Sequence, residues 1–71
     1  GDDTVVDLRG LDGARVSPLA GAERLTVDTI ELLSSRGGRV VLCCRSGQRA
    51  LMAADRLRAR GFSDLALVAL G

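Results

Sequence analysis

Six consecutive residues hold most of the chemistry this chain can do: Cys44-Arg45-Ser46-Gly47-Gln48-Arg49. An unassisted thiol, with a pKa of about 8.5, is only about 3% thiolate at pH 7. Backbone N–H groups and the positive end of a helix dipole shift that balance toward the anion. Arg45 and Arg49 bring positive charge for an incoming anion, and Ser46 brings a hydroxyl. Gly47 permits a positive φ or a close backbone approach. Cys44 is the candidate nucleophile, and Arg45, Ser46, Gly47, Gln48 and Arg49 are the candidate substrate-binding loop. The bland alternatives are a buried Cys44 acting as a small hydrophobe and a Ser46 acting only as a helix cap.

The flanking residues show how such a loop would be held. Val40-Val41-Leu42-Cys43 is a short β-branched run of the kind expected for a strand buried on both faces. Gln48 to Arg60 predicts a helix with Ala50, Ala53, Ala54 and Leu57 on one face and Gly61 as its stop. Cys44 therefore falls between a strand exit and a helix start, where unpaired N–H groups converge. Cys43, one residue earlier in the strand, should face the opposite way and act as core.

The rest of the chain alternates in the same fashion. Thr4 to Leu8 predicts a first strand, and 10–21 a loop containing Gly13, Ser17 and Pro18. Leu25 to Val27 predicts a short strand. Thr29 to Arg36 predicts a helix, with Asp28 as N-cap, Glu31 completing a capping box and Gly37-Gly38 as terminator. Leu65 to Leu70 predicts the last strand. The expected class is α/β: a small parallel sheet with helices on both faces. Ligands of such sheets bind beyond the carboxyl ends of the strands. Cys44 lies at one such end and Arg9 at another. Asp7 and Arg9 are candidates to brace the loop, with a surface ion pair as the alternative.

Composition narrows the function. The chain has 71 residues, one domain's worth, and a domain of this size buries only about 60% of its unfolded surface. It has ten basic residues, all Arg, against nine acids, and no His, Lys, Tyr or Trp. Absence of His removes a Ser-His-Asp triad, a Cys-His pair and imidazole metal ligands. Absence of Lys removes Schiff-base chemistry. Two adjacent cysteines cannot build a four-ligand zinc site in one chain, so no metal and no cofactor are expected. One aromatic residue, Phe62, offers no base-stacking platform, so nucleic acid is not an expected partner. No apolar run approaches the ~20 residues of a membrane span, and a cytoplasmic location is expected. Between Leu32 and Ala54 there are four arginines (Arg36, Arg39, Arg45, Arg49) and no acid. That stretch is read either as a solvated face or as a local positive potential around Cys44.

From Arg39 to Gly71 the sequence resembles the second half of a rhodanese domain. That family sets a catalytic cysteine in a Cys-Arg-Ser-Gly-x-Arg loop, followed by a helix ending in Gly-Phe and a strand ending near Gly. Here these are Cys44 to Arg49, Gly61-Phe62 and Leu65 to Gly71. Asp7-Leu8-Arg9 matches the family's Asp-x-Arg at a strand end. Ser17-Pro18-Leu19-Ala20-Gly21-Ala22 falls where the family usually has Gly-His-Ile-Pro-Gly-Ala, and only Gly21-Ala22 is retained. The resemblance covers about four-fifths of the chain, with both ends shorter than the family's. It implies a single rhodanese-like domain over residues 1–71, trimmed or naturally minimal.

Loop length separates two chemistries. Phosphatases with a Cys-x5-Arg loop cradle a tetrahedral phosphate, whereas Cys44 to Arg49 is Cys-x4-Arg, one residue tighter. The resemblance links the tighter ring to sulfur transfer. It implies a sulfurtransferase in which Cys44 takes a sulfane sulfur from a small anionic donor such as thiosulfate, or from a persulfide. The Cys44 persulfide, cradled by the N–H groups of residues 45 to 49, then passes its sulfur to a thiol or cyanide-like acceptor, a protein among the candidates. The alternatives are a rhodanese-fold binding or regulatory module with weak turnover, or a part of a larger multidomain protein.

Overall fold

A computed structural model describes residues 3–10 and 19–71. Ser17 and Pro18, and most of the expected 10–21 loop, lie outside the described residues. The elements run β1 (Thr4–Asp7), β2 (Glu23–Arg24), a 3-10 helix (Ile30–Leu33), β3 (Val40–Cys44), α1 (Gln48–Ala59) and β4 (Leu65–Ala69). The four strands form one parallel sheet in the order β2-β1-β3-β4. Val6 sits opposite Leu42, which sits opposite Leu67. This is the expected α/β class with its parallel sheet.

The expectation of helices on both faces does not hold among the described residues. The connections β2→β3 and β3→β4 step across the sheet in the same direction. Right-handed crossovers that advance in one direction place their helices on one face. Ile30 and Leu33 accordingly share a single core with Ala50, Ala53, Ala54 and Leu57 of α1. Strand alternation sends Val6, Val40, Leu42 and Cys44 into that core. Val5, Asp7, Val41 and Cys43 face the other way.

Two elements differ from the sequence expectation for local reasons. The segment after residue 28 is a single 3-10 turn, not a helix to Arg36. Thr26 and Thr29 bond each other's backbone: Thr26 N–H donates to Thr29 Oγ1 at 3.0 Å, and Thr29 N–H donates to Thr26 Oγ1 at 3.3 Å. Such local bonds compete with a longer helix. Thr29, rather than Asp28, occupies the cap position and makes no side-chain cap bond. Asp28 instead meets Arg56 at 3.5 Å, and Glu31 meets Arg56 at 3.8 Å and Arg60, just past the helix, at 2.8 Å, so both expected cap residues tie this segment to α1. The second strand comes earlier than Leu25 to Val27, because Glu23 and Arg24 pair with Val6 and Asp7. Leu25 packs against the core instead.

Helix α1 ends as its sequence requires. Gly61 takes φ +87°. Phe62 N–H donates to the Leu57 carbonyl at 3.0 Å and Gly61 N–H to the Arg58 carbonyl at 2.9 Å. These are the paired bonds of a Schellman stop, and Phe62 packs on the core beside it. Arg56 and Arg58 lie in the last turn, where cations complement the helix dipole.

Candidate active site

Strand β3 carries the site to the carboxyl edge of the sheet. It runs one residue further than its apolar sequence suggests and includes Cys44. Beyond it, the Cys44 carbonyl accepts Leu70 N–H at 2.8 Å and the Arg45 carbonyl accepts Gly71 N–H at 2.9 Å. These bonds pin the start of the loop to the end of β4. Gly47 then reverses the chain into α1 with φ +89° and ψ −11°. A side chain there would have room, since its Cβ would lie 3.7 Å from the Ala69 Cβ. The positive φ alone makes glycine the fitting residue, by about 1–2 kcal/mol.

That turn aims two backbone donors at the sulfur. Gly47 N–H donates to Cys44 Sγ at 2.9 Å and Ala50 N–H donates at 3.4 Å. Ala50 N–H belongs to the first turn of α1, whose donors have no intrahelical acceptor. Sulfur thus serves as the acceptor that caps this helix. The expected cradle of residues 45 to 49 is in this respect displaced: Ala50, one residue beyond it, supplies one of the two donors. Ser46 does not cap α1, because Gly47 holds that position. Ser46 Oγ accepts a long bond from Gln48 N–H at 3.4 Å.

Cys43 lies on the opposite face, as alternation requires. Its environment is different: burial, followed by the negative charge of Asp7 and then Cys44, pushes the thiol up from its usual range, against a smaller opposing effect of Arg9. Asp7 is its cross-strand neighbour.

The Asp7–Arg9 pair is buried rather than a surface ion pair. Arg9 grips Asp7 with both ends of its guanidinium at 3.0 Å, while its backbone N–H donates to Asp7 Oδ1 at 2.9 Å. The Arg9 hydrogen bond holds the Asp7 carboxyl below its usual range, against burial. Arg24 joins them, 3.4 Å from Asp7 Oδ2 and donating to the Arg9 carbonyl at 3.0 Å. This cluster fixes Arg9 at the end of β1, beside the cysteine loop. Arg49 supplies a second tie, donating from Nη1 to the Leu8 carbonyl at 3.1 Å.

The positive stretch from 32 to 54 resolves into two parts. Arg36 pairs with Glu23 at 2.9 Å and Arg39 with Asp64 at 3.2 Å, both on the surface. The Arg45 side chain has no hydrogen-bond or ion-pair partner among the described residues, and the Arg49 guanidinium meets an uncharged carbonyl. The uncompensated charge therefore sits at the loop itself.

A cavity of about 510 Å³ opens at this point. Arg9, Cys44, Arg45, Ser46, Gln48 and Arg49, all singled out from sequence, line it together. Gly47 contributes its N–H to the sulfur but does not line this cavity. Gly10 and Met52 line it too, and the sequence reading missed both. Met52 was findable, since it follows Gln48 by four residues on a helix and so shares its face. Gly10 and the Asp7 partner Arg24 carried no local signal.

No family model and no curated protein matches the chain. Among the described residues no helix is long and apolar enough to cross a membrane.

Proposed function

We propose that this domain is a sulfurtransferase of the rhodanese type, working through a persulfide on Cys44. The observation that carries the proposal is the cysteine sulfur at the head of α1, accepting two backbone N–H bonds beside a cavity where the Arg45 side chain has no partner among the described residues. Cys44 thiolate attacks the outer sulfur of thiosulfate, the S–S bond breaks, and sulfite leaves with the electron pair. The transferred sulfur takes a proton from solvent to give the Cys44 persulfide. An acceptor thiolate then attacks that outer sulfur and releases Cys44 as thiolate. Arg45 and Arg49 steer the donor anion, and the Asp7–Arg9–Arg24 cluster holds the β1 side of the site in place. The resemblance of residues 39–71 to the rhodanese pattern supports the same reading.

One observation favours a second reading, a rhodanese-fold binding module with little turnover: Cys44 is only 2% exposed. Steady-state turnover separates the two. Mixing the protein with thiosulfate and cyanide should release thiocyanate and sulfite catalytically, with product exceeding protein many-fold. Product that stops at or below one equivalent supports the module.

A further inference from the structure

The two edges of the sheet differ in what they offer another chain. The β2 edge is two residues long, and both are charged and engaged, Glu23 with Arg36 and Arg24 with Asp7. The β4 edge is five residues long, and no charged residue occurs from Leu65 to Gly71. Val40 N–H donates to the Asp64 carbonyl and Leu70 N–H to the Cys44 carbonyl, so the even-numbered residues of β4 bond β3. Backbone groups alternate sides along a strand, so Leu67 and Ala69 turn theirs outward, where no described strand meets them. A groove of about 400 Å³, lined by Leu51 of α1 together with Leu67, Val68 and Ala69, follows the same edge. Leu51, Leu67 and Val68 all carry exposed apolar surface. A long, uncharged, apolar edge of this kind is a template for another strand.

We infer that this edge pairs with the β4 edge of a second copy of the chain, antiparallel, about a two-fold axis at Leu67. The inference is independent of the reaction at Cys44. The segment matches itself, because centring the axis on Leu67 pairs all five residues. Leu67 exchanges both backbone bonds with Leu67 of the second copy, and Ala69 N–H reaches the Leu65 carbonyl of that copy. The two Leu67 side chains then meet on the face of the sheet that carries α1. Charge permits the pairing: no charged side chain lies within the paired segment, and the two Asp64 carboxylates stand at its opposite ends, roughly 20 Å apart at ~3.3 Å per residue. Each is also met by Arg39 of its own chain. One such contact uses the edge of both copies, so assembly closes at the dimer. A specific, stable interface takes about 800 Å² from each partner, a large share of a chain with 4474 Å² of surface. One strand edge with a shallow groove supplies less, which places the dissociation constant at about 10–100 µM, among weak interfaces.

Sedimentation equilibrium of the full chain from about 2 to about 500 µM should show the mass doubling with concentration and rising no further. Over the same range, hydrogen exchange should slow several-fold at the Leu67 and Ala69 amides, while those of Ala66 and Val68, already bonded to β3, stay unchanged. Leu67→Lys sets two ammonium groups against each other at the axis and should keep the protein monomeric. If circular dichroism shows that variant unfolded, a synthetic chain N-methylated at Leu67 decides instead, since it blocks the outward N–H and leaves every side chain in place. It too should stay monomeric. Leu32→Lys, at the most exposed large apolar side chain and beside β2 rather than β4, should dimerise as the wild type does. A monomer throughout the range, or growth beyond the dimer, overturns the inference. So does a dimer that survives the change at Leu67, leaves exchange at Leu67 and Ala69 unaltered, or is lost equally in Leu32→Lys.

Discussion

At the scale of single residues, two adjacent thiols are given different chemistry by one strand. Cys44 faces the helix and accepts N–H bonds, while Cys43 faces Asp7 across the β1–β3 ladder. Burial and the Asp7 charge favour the protonated Cys43. Its thiolate therefore appears only above the ordinary thiol range, at alkaline pH, and not around pH 7. Iodoacetamide at pH 7 should accordingly label the Cys44→Ala protein, whose one thiol is Cys43, slowly. Labelling of Cys44→Ala should rise as pH climbs past about 9. Rapid labelling of Cys43 at pH 7, with circular dichroism unchanged, would contradict the assignment of the two faces. The loop chemistry was legible because residue type alone points to it: a thiol, two arginines and a glycine between a strand and a helix. The burial of Asp7 and Arg9 was not. An i,i+2 pair at a strand end looks the same whether its strand is covered or exposed, and the third member, Arg24, comes from 15 residues away.

At the scale of elements, the stability of the site depends on how α1 is seated. Its buried face is mostly alanine, with Leu57 as the one large side chain and fully buried. Small residues let the helix backbone come close to β3, so its first-turn donors reach Cys44. Leu57→Ala should cost about 3 kcal/mol by loss of burial and the cavity left behind. Leu51→Ala, on the exposed face of the same helix, should change stability by less than about 0.5 kcal/mol. Urea titrations of both variants check this contrast. Helix α1, β3 and β4 were readable from periodicity, apolar runs and the Gly61 stop, each of which is local. The sequence suggests a longer helix there because Asp28 and Glu31 have the spacing of a capping box, yet both find Arg56 on α1 instead. The early start of β2 reflects pairing with β1, which is set by the ladder and not by the propensity of Glu-Arg.

At the scale of the whole molecule, a small domain relies on few buried polar contacts, and among the described residues the Asp7 cluster joins β1, β2 and the site. Because the folded state holds the Asp7 carboxyl below its usual range, the cluster contributes its stability above pH ~4, the ordinary carboxylate value. That contribution disappears as pH falls further, through the lowered folded value. Asp7→Asn should lower stability at pH 7, since it removes the buried carboxylate that Arg9 and Arg24 both meet. The variant should also show a shallower loss of stability between pH 4 and pH 2 than the wild type. Thermal melts across that range check both statements, and equal acid slopes in the two proteins would remove Asp7 from the account. The one-sided helical cover seen among the described residues was not readable from element order alone, because it follows from the direction in which each crossover advances.

Intact-mass measurement after incubation with thiosulfate or an organic hydropersulfide tests the central claim most directly. Wild-type protein should gain the mass of one sulfur atom. Cys43→Ala should gain the same, Cys44→Ala should gain none, and a reducing thiol should remove the addition. Sulfur retained by a folded Cys44→Ala protein, or no gain in the wild type with either donor, would contradict a persulfide on Cys44.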